Sequence, residues 1–157
     1  MDTAFAFGPV GIVRSSRSEV LDDGWDAERS SVELVPPYDE RALRGLDGFS
    51  HCEVLYVLDR ATWSEDRMLR HPRGNEAWPE VGIFAQRAKD RPNPIGLSVC
   101  EIRRIQGARI ELVGLDAVDG SPVLDLKPWV VEFGPRGPVL QPRWMSELMD
   151  GYWSPIF

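Results

Sequence analysis

The sequence predicts an all-β fold, a small antiparallel β-barrel with short peripheral helices and no Rossmann-type crevice. Three observations point there. Seven short runs of β character alternate with turn signals drawn largely from 14 glycines and 13 prolines. Helical periodicity is confined to two short stretches. No two glycines stand in a G-x-G spacing and no G-x-x-x-x-G-K occurs, which removes the dinucleotide fingerprint and the P-loop.

The elements follow in order along the chain. Val10 to Ser15 and Ser31 to Val35 are the first two expected strands. Pro36-Pro37-Tyr38 then breaks the chain, and Asp39 to Leu46 has the pattern of two helical turns. Cys52 to Leu58 ends in the longest unbroken apolar run, Val54 to Leu58, and Val81 to Ala85 is expected as a buried strand. Ile95 to Ile105 and Arg109 to Leu115 alternate polar with apolar residues, as half-buried antiparallel strands do, and Gln106-Gly107-Ala108 is the hairpin turn between them. Asp119-Gly120 is a strong turn signal ahead of a last strand, Val123 to Leu126. That turn places Asp116 and Asp125 near the two ends of a hairpin-like excursion. Arg143 to Met149 can form a helix that stops at Gly151. With no repeat, linker or composition break, residues 1–157 are expected to form one domain.

Composition narrows the function. The net charge of −7 argues against the uniformly basic surface of a non-specific nucleic-acid binder. Charge is uneven, however: Arg60 to Arg104 carries nine Lys/Arg against six Asp/Glu, the one candidate for a local basic patch, although such runs are usually solvated faces. The longest apolar run is far short of the ~20 residues a membrane helix needs, and Met1-Asp2-Thr3 lacks the basic start of a secretory signal. A cytoplasmic protein that does not contact membranes is expected. Cys52 and Cys100 lie in apolar stretches and are expected as buried free thiols. His51 and His71, the only histidines, stand at no metal-ligand spacing, so no metal site is expected; His51 fits a structural role at a strand start.

Two segments carry the chemistry. In Arg91-Pro92-Asn93-Pro94-Ile95-Gly96 each proline fixes its own φ and pushes the residue before it into extended space. A stiff polar loop loses little entropy on gripping a ligand, and Arg91 and Asn93 on it are candidate substrate contacts. The second segment runs from Leu115 to Trp129. Its Asp125 and Lys127 sit in an apolar context, where an isolated charge is costly, so each is expected to have a partner.

At these segments, FAQRAKDRPNPIGLS (Phe84 to Ser98) and LDAVDGSPVLDLKPW (Leu115 to Trp129), the chain resembles the TsaA-like family. Gly11 to Ser15 and Gly45 to His51 support the match. The resemblance implies a compact barrel, usually a homodimer, that binds S-adenosylmethionine without a Rossmann fold and methylates the threonylcarbamoyl-modified adenosine beside the tRNA anticodon. It assigns cofactor contacts to Asp59, Arg60, Arg87, Leu97 and the Leu115-Asp116 stretch, with Trp25 in the loop Asp23-Gly24-Trp25 as a further one. The residue types suit the cofactor: Arg for its carboxylate, Asp for ribose hydroxyls, carbonyls or an aromatic ring for the sulfonium. Asp125 is the candidate catalytic base and Lys127 the candidate for orienting the substrate. Two other readings share the fold: a methyltransferase acting on a small molecule, and a non-catalytic module that binds the cofactor.

Overall fold

The computed structural model describes residues 3–18, 23–25 and 29–153. Six strands close into a barrel: β1 (Gly11–Ser15), β2 (Arg29–Leu34), β3 (His51–Val57), β6 (Ile95–Gln106), β7 (Arg109–Val113) and β8 (Pro122–Pro128). Their order around the wall is β1-β2-β7-β6-β3-β8, and β8 returns to β1 through Gly11↔Val123 and Ile12↔Pro122. All neighbours are antiparallel. Closure gives every wall strand a neighbour on both sides, with β6 joined to β7 from Glu101 onward and β8 joined to β1 through Pro122 and Val123. Strands β4 (Leu69–Arg70) and β5 (Val81–Gly82) form a separate ribbon within the long β3–β6 connection.

Alternation supplies the core. Val13, Val32, Cys52, Val54, Cys100, Ile110, Leu112 and Val123 point inward and are essentially fully buried. On β6 the usual pattern inverts near its start: Gly96 and Ser98 face inward, whereas Ile95, Leu97 and Val99 face outward at 46%, 42% and 45% exposure. The cause is Tyr56 on the neighbouring strand, in register with Gly96. Its ring fills the interior so closely that a Cβ on Gly96 would lie 2.3 Å from Tyr56 Cζ. Cys52 and Cys100 face each other across β3 and β6 as free, buried thiols. Burial pushes Cys52 up to about 11 and Cys100 higher still, so both remain protonated and inert.

Three expectations change. The expected strand Val81 to Ala85 yields only the two residues of β5 before the chain turns into a 3-10 helix over Ile83–Ala85. Ile83 alone there is fully buried, while Phe84 is 82% exposed, so one apolar anchor replaces a buried strand. The expected helix from Asp39 to Leu46 becomes two 3-10 turns, Glu40–Leu43 and Leu46–Gly48, split at Gly45, whose φ of 90° no helix accommodates. The excursion from β7 to β8 is no hairpin: β7 pairs with β2 and β6, and β8 with β3 and β1. Residues 114–121 therefore cross one end of the barrel, turning at Gly120 (φ 86°). The expected C-terminal helix is present as α1 (Arg143–Leu148).

This topology gathers three connections at one end, which we call the mouth: those following β1, β3 and β7. Most sequence-selected residues lie on them, and the mouth is shaped by the Tyr56–Gly96 contact beneath. Gly96→Ala is expected to lower stability by about 1–3 kcal/mol through overpacking, read as a shift in urea midpoint at unchanged slope. An unaltered midpoint would mean the ring moves aside freely.

Candidate functional site at the barrel mouth and outer wall

Asp116 is the polar centre of the mouth. It follows fully buried Leu115, which anchors the crossing segment in the core. The Tyr56 hydroxyl lies 2.8 Å from Asp116 Oδ1 and 2.9 Å from its carbonyl oxygen, and shares its proton with this pair. Ser98 Oγ also donates to Oδ1, and the Tyr152 hydroxyl donates to Oδ2 at 2.5 Å. Burial first, then the Asp116 charge, pushes both phenols far above their ordinary range. Both are therefore fixed donors and cannot act as bases at neutral pH. Three hydroxyls thus occupy most of the lone pairs of this carboxylate.

Tyr152 also holds the Trp25 loop, because the amides of Gly24 and Trp25 donate to its carbonyl at 2.8 and 3.3 Å. The Arg17 guanidinium lies over the Trp25 ring, 4.1 Å from its centroid, and donates to the carbonyls of Asp23 and Gly24 at 3.0 and 2.9 Å. Trp25 is only 4% exposed, so one face of its indole is already covered by a cation. Asp59 and Arg60 lie in the exposed turn after β3, where Arg60 donates to the Ser18 carbonyl.

A second group of candidates stands on the outer wall. Arg87 Nη2 donates to the Leu97 carbonyl at 3.1 Å, leaving the rest of an exposed guanidinium available. Arg91 Nη1 bonds inward to the carbonyls of Gln86 and Ala88 at 3.0 and 3.3 Å, so it braces the loop, while Asn93 is exposed. The same loop is pinned by Asp90, which accepts from the Thr62 amide, Arg67 and Lys89 at 2.8–2.9 Å. Register places Leu97, Leu55 and Asp125 in one row across β6, β3 and β8. Asp125 is thus two strand spacings, about 10 Å, from Leu97. A bulge at the β3–β8 pairing, where Leu124 is extra, turns Leu126 inward and aims Asp125 and Lys127 outward. The partner expected for each charge is the other: Lys127 Nζ lies 2.7 Å from Asp125 Oδ2, and Asp125 holds the ammonium above its ordinary value.

The structure thus brings Trp25, Leu115 and Asp116 together at the mouth, sets Arg87 against Leu97 within electrostatic reach of Tyr152, and pairs Asp125 with Lys127 two strands away on the wall. Sequence reasoning missed Tyr56, Ser98 and Tyr152. Tyr56 and Ser98 sit in runs with the look of ordinary strands, and only their registry across β3 and β6 reveals a shared partner. Among the described residues no three His, Cys, Asp or Glu side chains are grouped to hold a metal ion. Both histidines have structural contacts: His51 Nδ1 with Ser50 Oγ, and His71 Nδ1 with the Trp78 carbonyl, each at 2.7 Å.

A closed antiparallel barrel with a polar mouth, stiff proline loops and no glycine-rich crevice defines a class of binding barrel distinct from the doubly wound nucleotide folds. The chain belongs to the tRNA-methyltransferase O N-terminal domain family, whose model matches residues 22–134. It is 39% identical over 140 residues to a Methanothermobacter thermautotrophicus protein named "Probable S-adenosyl-L-methionine-binding protein", covering 87% of this chain and 98% of that one. It is 34% identical to the tRNA (adenine(37)-N6)-methyltransferase of Escherichia coli, over 82% of this chain and 59% of the relative. A crystal structure of TrmO from Pseudomonas aeruginosa superposes with a TM-score of 0.71 at 33% identity, over 88% of this chain and 61% of that one. The chain spans about half the length of its bacterial relatives, 46% of one from Pseudomonas aeruginosa that is 43% identical over 108 residues.

The Asp90 cluster gives a pH test of the loop that carries Arg87. Burial alone would raise the Asp90 carboxyl, but Lys89, the Thr62 amide and Arg67 together hold it below its usual 3.8. A folded-state value below the unfolded one stabilises fully above the unfolded value and is lost as pH falls through the folded value. Asp90→Asn should therefore be less stable than the parent near neutrality, with the gap narrowing below about pH 3.8. Urea midpoints across that range check it, and a gap that stays constant would show that the carboxylate charge contributes nothing.

Proposed function

We propose that this protein is an S-adenosylmethionine-dependent methyltransferase that acts on tRNA, on the threonylcarbamoyl-modified adenosine at position 37. The observation that carries the reading is the Arg87–Leu97 anchor, in the same register row as Asp125 and about 10 Å from it, on the wall of a barrel whose relatives are named for this cofactor and this adenine. The donor set fits the cofactor. Arg87 is an exposed guanidinium fixed by one nitrogen, with its other N–H groups able to pair with a carboxylate. Asp59 and Arg60 are exposed at the same end of β3. Leu115 and Asp116 can contribute through the backbone, since one side chain is buried and the other is bound by three hydroxyls. Trp25 presents a ring already backed by Arg17, which favours contact along its edge.

The cofactor supplies an electrophilic methyl group on a sulfonium. The chain's own residues then have to hold the acceptor, keep water out and remove a proton from the attacking nitrogen. In this reading Asp125 is the base. Lys127, bonded to it at 2.7 Å, fixes its orientation and contacts the acceptor. Arg91 and Asn93 border the approach on the stiff loop. A second copy of the chain covers the half-exposed row Ile95, Leu97 and Val99, an apolar strip that a homodimer would bury. No described helix is long and apolar enough to cross a membrane, and the cytoplasm, where tRNA is modified, is the proposed location.

Incubation with labelled S-adenosylmethionine and tRNA from a strain lacking the modification, followed by nucleoside analysis, should yield methylated threonylcarbamoyl-adenosine. Label on another acceptor, or none on tRNA, would overturn the assignment. Arg87→Ala should weaken cofactor binding in calorimetry by at least tenfold, about 1.4 kcal/mol, with the unfolding midpoint nearly unchanged because the side chain is exposed. Equal affinity would move the cofactor elsewhere.

A further inference from the structure

We infer that the outer wall of β1, β2 and β7 is a docking surface for the phosphodiester backbone of RNA, an inference that rests on the proposed tRNA substrate. A cavity of about 340 Å3 opens there, and four arginines line it, one from each of four strands: Arg14, Arg29, Arg103 and Arg109. Two carboxylates, Glu111 and Asp119, also line it, so the lining carries a net +2 on a protein of net −7.

Three features distinguish this basin from an ordinary solvated face. First, Ser31, which alternation turns to the same outer face as Arg29 and Glu33, lines it, is 2% exposed and has a hydroxyl with no hydrogen-bond partner among the described residues. A buried donor left unmade costs about 1–3 kcal/mol, and an anionic oxygen is the acceptor that a hydroxyl between guanidinium groups fits. Second, Arg103 is the extra residue of a bulge in β6, since Ile102 pairs with Leu112 and Arg104 with Glu111. Bulges re-aim side chains, and this one adds a fourth arginine to the lining. Third, although Glu33 and Glu101 together with Glu111 and Asp119 balance the four arginines in number, the pairing is uneven and leaves one guanidinium outside it. Arg14 and Arg109 share the single carboxylate of Glu33, at 3.1 and 3.9 Å, and Arg103 pairs with Glu101 at 3.2 Å. Arg29 forms no ion pair among the described residues.

The basin also connects to the site already described. Its upper edge is Ser15, whose amide donates to Asp119 Oδ1 at 3.0 Å, and the Asp119 amide donates to the Arg17 carbonyl at 2.8 Å. Arg17 lies on Trp25. Leu97 and Arg103 share β6, six residues or about 20 Å apart, a span that an RNA arm can bridge. The acidic protein thus meets RNA through a local patch, and only Arg103 of that patch falls within the basic run Arg60 to Arg104.

The test is tRNA binding by the full chain across a salt series. Each lost phosphate contact should reduce the slope of log affinity against log salt by about 1. Arg29→Ala combined with Arg103→Ala should lower tRNA affinity and flatten the slope by about 2, while calorimetric affinity for S-adenosylmethionine and the thermal midpoint stay at parent values. Ser31→Ala, which leaves the charge intact, should weaken binding with the slope retained. If the parent binds tRNA and the double variant matches it in affinity and slope, the basin is wrong and the substrate assignment stands. A parent protein that does not bind tRNA overturns both.

Discussion

The barrel is organised around a single contact, the Tyr56 ring laid against Gly96 with its hydroxyl reaching Asp116. The ring occupies volume that aliphatic side chains fill elsewhere in the core, so Gly96 and Ser98 must be small, and the apolar residues of that stretch of β6 are displaced to the outside. The hydroxyl in turn fixes Asp116, and through it the crossing segment and Tyr152. Interior packing, mouth geometry and the apolar strip on the wall are consequences of one aromatic side chain placed where an aliphatic one would serve most barrels.

The division between mouth and wall follows from chain crossing as much as from chemistry. Residues 114–121 carry the chain from one side of the barrel to the other, and the C-terminal segment returns to lay Tyr152 over them. Trp78 Nε1 donates to Glu147 at 3.0 Å, tying α1 to the long β3–β6 connection. The mouth is therefore held by three distant parts of the sequence whose bonds converge on Asp116 and Tyr152. Such a site is preorganised by its surroundings, the property that lets polar groups hold a ligand at low entropic cost.

Much of the fold was legible in the residues. Alternation in Arg109 to Val113, the glycine turn at Gly107 and the Asp119-Gly120 turn are local signals, and local signals survive folding. The failures are of another kind. Val81 to Ala85 has strand composition but only a two-residue partner, and Asp39 to Leu46 has helical composition interrupted by a left-handed glycine. The candidate site was legible as two motifs because prolines and charged residues stand out. Its supporting hydroxyls were not, because Tyr56, Ser98 and Tyr152 meet Asp116 only through registry and chain crossing. The arginines of the β1–β2–β7 wall were equally hidden, being scattered singly over the sequence and assembled only by closure of the sheet.

The bulge at Leu124 has a bearing on how this chain can vary. It lets β8 obey one facing rule where it meets β1 and the opposite rule where it runs beside β3, so a single surplus residue reconciles two seams of one cylinder. With Leu124 kept and the bulge straightened into a regular ladder, charge and hydrocarbon would swap along the rest of the strand, placing a carboxylate and an ammonium in the hydrocarbon interior. Deletion of Leu124 would instead leave Val123, Asp125, Leu126 and Lys127 in plain alternation with their present facing, so this strand can shorten by its surplus residue but cannot lengthen by another without a second bulge.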